Sequence, residues 1–126
     1  MNLSVLKESM TVCQLPPNDP IPAWTAGRAA FLSITRTSEE LSIVCPVNLV
    51  PSSVKQVAGW RAFKVEGPLD FALTGILAAI AEPLAKADLT LFALATYNTD
   101  YVLVKANQAD AAAKALRAAG HTIKRE

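Results

Sequence analysis

Hydrophobic positions in the second half of the chain recur first at a period of two and then at about 3.6, and each change marks an element. In "WRAFKVEG" (60–67), Phe63 and Val65 alternate with Lys64 and Glu66, and Gly67-Pro68 ends the predicted strand. Leu73, Leu77, Ile80 and Leu84 then follow at i, i+4, i+7 and i+11, one apolar face of a predicted helix with Asp70 at its amino cap. Gly75 falls within that pattern, and Pro83 is expected to kink its last turn. "LTLFALAT" (89–96) is apolar on both faces, as an inner strand is. "YVLVKA" is its alternating partner. "NQADAAAKALRAAG" (107–120) predicts a second, alanine-rich helix that packs closely on its neighbours, with Asn107 capping and Gly120 past its end. "HTIKRE" closes the set as a short strand.

That order, βαββαβ, is the ferredoxin-like split motif and implies an α+β fold: antiparallel sheets with helices packed on one face. The hairpin is repeated. "FLSITRTSEELSIVC" (31–45) and "LFALATYNTDYVLVK" (91–105) both run apolar strand, threonine, polar turn with an acid, apolar strand. Thr35 aligns with Thr96, and Glu39 or Glu40 with Asp100. Two units are therefore expected, residues 1–58 and 59–126, with a short helix over "PSSVKQVAG" (51–59) in the first. The copy is imperfect. Only one strand is visible between Cys45 and Asp70, so a strand is expected to be permuted to "NLSVL" or "MTVCQL" at the start. The proline-rich "QLPPNDPIPAW" reads as loop or a single turn.

Composition narrows the function. With 52% hydrophobic and 18% charged residues, the 126-residue chain can bury a core. Its 12 basic and 11 acidic side chains are dispersed, which argues against nucleic acid or an anionic membrane as partner. No apolar run approaches the ~20 residues of a membrane span, and "MNLSVLKESM" lacks the pattern of a secretory leader. Cys13 and Cys45 flank no other metal ligand and read as reduced, buried thiols, so a cytoplasmic location is expected. The single histidine, His121, follows Gly120 at a helix end, where binding a carbonyl is favoured over acting as a general base. No nucleophile–base motif, P-loop or G-x-G-x-x-G is present. Neither catalysis nor a cofactor is expected.

The turn "TYNTD" carries Thr96, Tyr97, Asn98, Thr99 and Asp100 where a bare reversal would serve. Asn, Thr and Asp populate turns for local reasons. The stretch "GPLDFALTGILAAIAEPLAKADLTLFALATYNTDYVLVK", however, resembles the ACT domains of small bacterial tandem-ACT proteins, and the ligand-binding ACT unit of the CASTOR arginine sensors. Gly67, Leu69, Phe71, Gly75, "IAEPLA", the "AD" pair and "TYNTDYVLV" carry the match, and "RTSEELSIVCP" and "IPAW" extend it. The resemblance implies a regulatory module that binds an amino acid at an ACT–ACT interface, commonly as a homodimer. It implies a pocket with two walls: Gly67, Pro68, Leu69, Asp70 and Phe71 on one side, and Thr96, Tyr97, Asn98, Thr99 and Asp100 on the other. In that pattern Asp100 serves the ligand's ammonium, while helix-start N–H groups suit its carboxylate. Ala72 and Leu73 stand where the arginine-sensor pattern has acids, which argues against a guanidinium ligand. A ligand-free interaction module with the same fold is the other reading.

Overall fold

The structure, a computed structural model, describes residues 1–67 and 75–125. Eight strands and two α-helices are formed among them. In chain order they are β1 (Asn2–Val5), β2 (Met10–Leu15), β3 (Ser33–Arg36), β4 (Leu41–Pro46), β5 (Gln56–Val65), α1 (Ile76–Lys86), β6 (Leu91–Ala95), β7 (Asp100–Lys105), α2 (Ala109–Ala118) and β8 (Thr122–Arg125). Two compact units result: Met1–Lys7 with residues 60–126, and Glu8–Gly59. The first seven residues, expected in a unit of residues 1–58, thus belong with the C-terminal part of the chain.

In the larger unit β6 pairs with β7, β7 with β5 and β5 with β1, all antiparallel. β1 also pairs with β8 in parallel, from Asn2↔Thr122 to Val5↔Arg125. The permuted strand is therefore inserted between the first and last strands of the βαββαβ unit. It changes that edge of an otherwise antiparallel sheet to parallel pairing. Leu3 and Val5 of β1, Phe63 and Val65 of β5, and Val102 and Val104 of β7 project to one face. Against them pack Ile80 and Leu84 of α1 and Ala109, Ala112, Ala113 and Leu116 of α2. The small alanines recur at i, i+3 and i+4, which lets α2 lie close, as its composition predicts.

Helix boundaries depart from expectation in instructive ways. The predicted cap Asp70 and face residue Leu73 lie outside the described residues. Gly75 precedes the helix instead of interrupting it, with φ of 75°, a conformation that favours glycine. Ile76 then turns toward the core and Leu77, expected inward, is 43% exposed. α2 starts at Ala109 after a 3₁₀ turn, Ala106–Gln108, and has no side-chain cap, so Asn107 does not cap it. Its end is as predicted: the Gly120 N–H donates to the Arg117 carbonyl and the His121 N–H to the Leu116 carbonyl, both at 3.0 Å. Gly120 has φ of 98°, the left-handed residue that this closure needs.

His121 has a structural task that its position only partly foretold. Pro83 lies inside α1 and cannot donate to the carbonyl of Ala79, four residues earlier. The His121 ring nitrogen Nε2 sits 2.9 Å from that carbonyl, while Nδ1 lies 3.0 Å from the Met1 amine. Both contacts are satisfied together by the tautomer that carries its proton on Nε2. The imidazole replaces the donor that proline removed.

The smaller unit contains the first hairpin, with β3 paired to β4 and β2 to β4, all antiparallel. The helix expected over 51–59 does not form. That segment is a turn followed by the start of β5, and the Gln14 N–H donates to the Lys55 carbonyl at 3.0 Å. The Thr11 hydroxyl donates to Gln56 Oε1 at 2.9 Å. Pairing with β2 and the β-branched Val54 and Val57 outweigh the weak local helix signal. The proline-rich segment is loop ending in one 3₁₀ turn, Ala23–Ala26. Trp24 packs at the edge of a cluster built on Cys13, Ile43 and Cys45.

Both thiols are free and buried. Burial raises the Cys45 pKa from the ordinary 9.0 to about 11, helped by the neighbouring Cys13. Burial also raises Cys13, with a hydrogen bond to Cys45 partly offsetting it. Folding thus favours the protonated thiols, so their contribution is complete below pH 9 and lost as pH rises through about 11. Chemical denaturation across that window is expected to show falling stability, with a shallower fall in Cys45→Ala. Iodoacetamide at neutral pH is expected to label neither thiol until the chain unfolds. For the proline–histidine pair, His121→Ala is expected to cost about 0.5–1.5 kcal/mol. It should cost measurably less in a Pro83→Ala background, where residue 83 regains its own donor, and a double-mutant cycle reads the difference.

Candidate functional site

The β6–β7 turn is organised by its two threonines. The Thr96 N–H donates to the Thr99 carbonyl at 2.8 Å and the Thr96 hydroxyl donates to the same carbonyl at 3.0 Å. The Thr99 N–H returns to the Thr96 hydroxyl at 3.2 Å. Thr99 is buried, and its hydroxyl donates at 2.5 Å to the carbonyl of Val65, the last residue of β5. One hydroxyl therefore shapes the turn and the other fastens it to the end of the neighbouring strand.

Beside it lies a cavity of about 150 Å³ lined by Lys64, Gly67, Thr96, Asn98, Thr99 and Tyr101. Four of these were predicted from sequence: Gly67, Thr96, Asn98 and Thr99. Lys64 and Tyr101 were not. They face each other directly in the β5–β7 register, and Tyr101 also opposes Leu94 of β6. A signal for them existed in the period-two pattern. Positions 62, 64, 101 and 103 lie on the sheet face opposite the helices, whereas 63, 65, 102 and 104 supply the helix-side core.

The remaining predicted residues are not all assembled here. Asp100 pairs with Ala95 as the last rung of the hairpin ladder and is not among the cavity's lining residues. It shares parity with Val102 and Val104, so its side chain starts on the helix side, opposite Tyr101. Tyr97 projects from the turn, 84% exposed. Pro68, Leu69, Asp70 and Phe71, which the second wall required, lie outside the described residues. The alignment of the two hairpins shifts by two positions. The Thr37 N–H donates to the Glu40 carbonyl at 2.9 Å, as Thr96 does to Thr99, and Arg36↔Leu41 is the rung matching Ala95↔Asp100. Thr37, not Thr35, is the counterpart of Thr96, and Leu41 is that of Asp100.

A larger cavity, about 370 Å³, lies between the helices' ends, lined by Ala79, Glu82, Pro83, Lys86, Ala119 and His121. Both nitrogens of its imidazole are engaged with Ala79 and Met1, so the group best suited to chemistry there is already committed. Among the described residues no cluster of three or more His, Cys, Asp or Glu side chains could hold a metal. None of the described helices is long and apolar enough to cross a membrane.

If the Thr99 hydroxyl fastens the turn, Thr99→Val leaves the Val65 carbonyl buried without its partner. Urea unfolding is expected to show a loss of about 1–3 kcal/mol. A loss no larger than that of an exposed turn substitution such as Asn98→Ala would mean the bond contributes little.

Comparison with known proteins agrees with this architecture. A solved protein from Agobacterium tumefaciens is 38% identical and superposes with a TM-score of 0.92, covering 99% of this chain and 92% of its own. The ligand-free regulatory subunit of aspartate kinase from Thermus thermophilus is 10% identical with a TM-score of 0.64, covering 90% of this chain and 93% of that one. It shares the fold. The human cytosolic arginine sensor for mTORC1, subunit 1, is 46% identical over 46 residues, which is 36% of this chain. The match spans only 14% of the sensor's own length. A family profile for an N-terminal domain matches residues 8–53, and the ACT domain profile matches residues 55–118, half of the chain and the whole β5–α2 span that carries the cavity. With both helices and the hairpin turn in that span, the chain belongs to the ACT domain family.

Proposed function

We propose that the protein is a non-catalytic regulatory module that binds a free amino acid at the β6–β7 turn. The observation that carries this reading is the cavity at the ends of β5 and β7, where Lys64, Asn98 and Tyr101 line one small space. Ligand sites of this kind are concave, with a few polar groups that fix orientation. The names of the similar proteins, an arginine sensor and a regulatory subunit of an amino-acid kinase, supply the ligand class. Two free, buried thiols fit work in the reducing cytoplasm, and the dispersed charge fits neither nucleic acid nor membrane as partner. The module acts as a homodimer in this reading.

A second reading rests on β6. "LFALA" is an edge strand without charge, proline or glycine, unlike β8, which ends in Lys124 and Arg125. An uncharged edge invites pairing with another chain, as a module kept for interaction alone would use. Thermal unfolding against each of the twenty amino acids separates the readings. A native-state ligand at a hundred times its Kd stabilises by about 2.7 kcal/mol, so one or a few amino acids are expected to raise the midpoint. A flat response to all twenty favours the interaction module. With the responding amino acid, Asp100→Ala is expected to cost about 1.5–3 kcal/mol of affinity if its carboxylate holds the ammonium. Unchanged affinity by calorimetry assigns Asp100 to the ladder end alone.

A further inference from the structure

Resting on the amino-acid reading, we infer that the cavity beside the β6–β7 turn is a carboxylate subsite, with Lys64 as its charged anchor. Among the described residues Lys64 is the one charged residue lining it, and no ion pair engages its ammonium. Two acids lie near it in the strand register among the described residues, and each is committed or turned away. Glu66, two residues on, accepts the hydroxyl of Ser4, and Asp100 starts on the opposite face of β7. The internal repeat supplies a control. Where the first hairpin turn carries Glu39 and Glu40, this turn carries Asn98 and Thr99. Two negative charges in the copy are thus replaced by neutral groups at the place that faces a lysine. A carboxylate there accepts a charge-assisted bond from Lys64. The Asn98 amide adds a neutral donor beside it.

Size limits what else enters. At about 30 Å³ per water in the liquid, the cavity holds roughly five water-sized groups, enough for a carboxylate and the atoms attached to it. The rest of a larger ligand must lie outside. The site therefore reads the acid end of its ligand, which is the end that all α-amino acids share with hydroxy acids.

Three probes of equal heavy-atom count test this: L-alanine, L-lactate, which lacks the ammonium, and L-alaninamide, which lacks the carboxylate. Each is titrated to its solubility limit while the backbone amide signals of Thr96, Asn98 and Thr99 are followed by NMR. L-Alanine and L-lactate are expected to shift these signals and L-alaninamide is not. Lys64→Met is expected to weaken the response at least about tenfold, the lower end for a charged hydrogen bond, while Lys64→Arg retains it. Lys64→Gln repeats the loss should the methionine variant disturb the spectrum elsewhere. L-Lactate binding as tightly as L-alanine keeps the carboxylate subsite and removes the amino-acid reading, since the ammonium then contributes nothing. L-Alaninamide binding as well as L-alanine does the reverse. An unchanged response in the Lys64 variants, or no response of these signals to any probe, overturns the inference.

Discussion

The insertion of β1 between β5 and β8 is the constraint on which the larger unit depends. Without it β5 would pair with β8 directly, as the βαββαβ order prescribes. With it, a segment from the start of the chain supplies two fully buried core side chains, Leu3 and Val5, and ladder bonds to both neighbours. The strand cannot leave without opening the core under α1 and α2, because those side chains face Ile80, Leu84 and Leu116. The backbone around it is tied accordingly: the Glu66 N–H donates to Asn2, the Leu6 N–H to Ala62 and the Thr122 N–H to Met1. Arg61 adds two bonds from its guanidinium to the Leu6 carbonyl. Closure of such a long loop is entropically costly, but the cost grows only slowly with loop length. The gain is a sheet whose central strands, β1, β5 and β7, are paired on both sides.

How far the sequence revealed this depends on whether a signal was local. The alternation of Phe63 and Val65, the β6–β7 hairpin, the alanine spacing of α2 and the Gly120 closure are all written in neighbouring residues, and all were legible. A displaced strand was legible as a deficit, since only one strand could be found between Cys45 and Asp70. Its destination was not, because nothing within "NLSV" says which strands will flank it. The failed helix at 51–59 has the same origin. Its fate is set by Gln14 and Thr11, some forty residues away. Pro83 and His121 were each noticed, yet the bond that relates them spans 42 residues and depends on a missing N–H.

At the candidate site the same division separates turn from pocket. Residues of the turn were visible because Thr, Asn and Asp cluster there against expectation for a simple reversal. Lys64 and Tyr101 were hidden in strands, where each passed as an ordinary surface position of an alternating pattern. Only the register that sets them opposite one another makes them a pair. Asp100 was conspicuous as an acid in a polar turn, and the ladder makes it a strand residue whose side chain starts on the helix side.

Comparing the two hairpins separates what the fold demands from what is left for recognition. In both, a threonine opens the turn and its N–H reaches the carbonyl three residues on, Thr37 to Glu40 and Thr96 to Thr99. In both, the threonine hydroxyl accepts from N–H groups within the turn. That chemistry is therefore the requirement of a tight reversal and carries no information about a ligand. What differs is what surrounds it. Ser42 follows the first turn where Tyr101 follows the second, and two glutamates give way to Asn98 and Thr99. Those differences are concentrated around one lysine at one strand end. The reversal itself does not require them, since its threonines already satisfy the turn. Under the proposed reading discrimination comes from Lys64 and Asn98, because the hydroxyls of Thr96 and Thr99 are already spent on holding the turn in place.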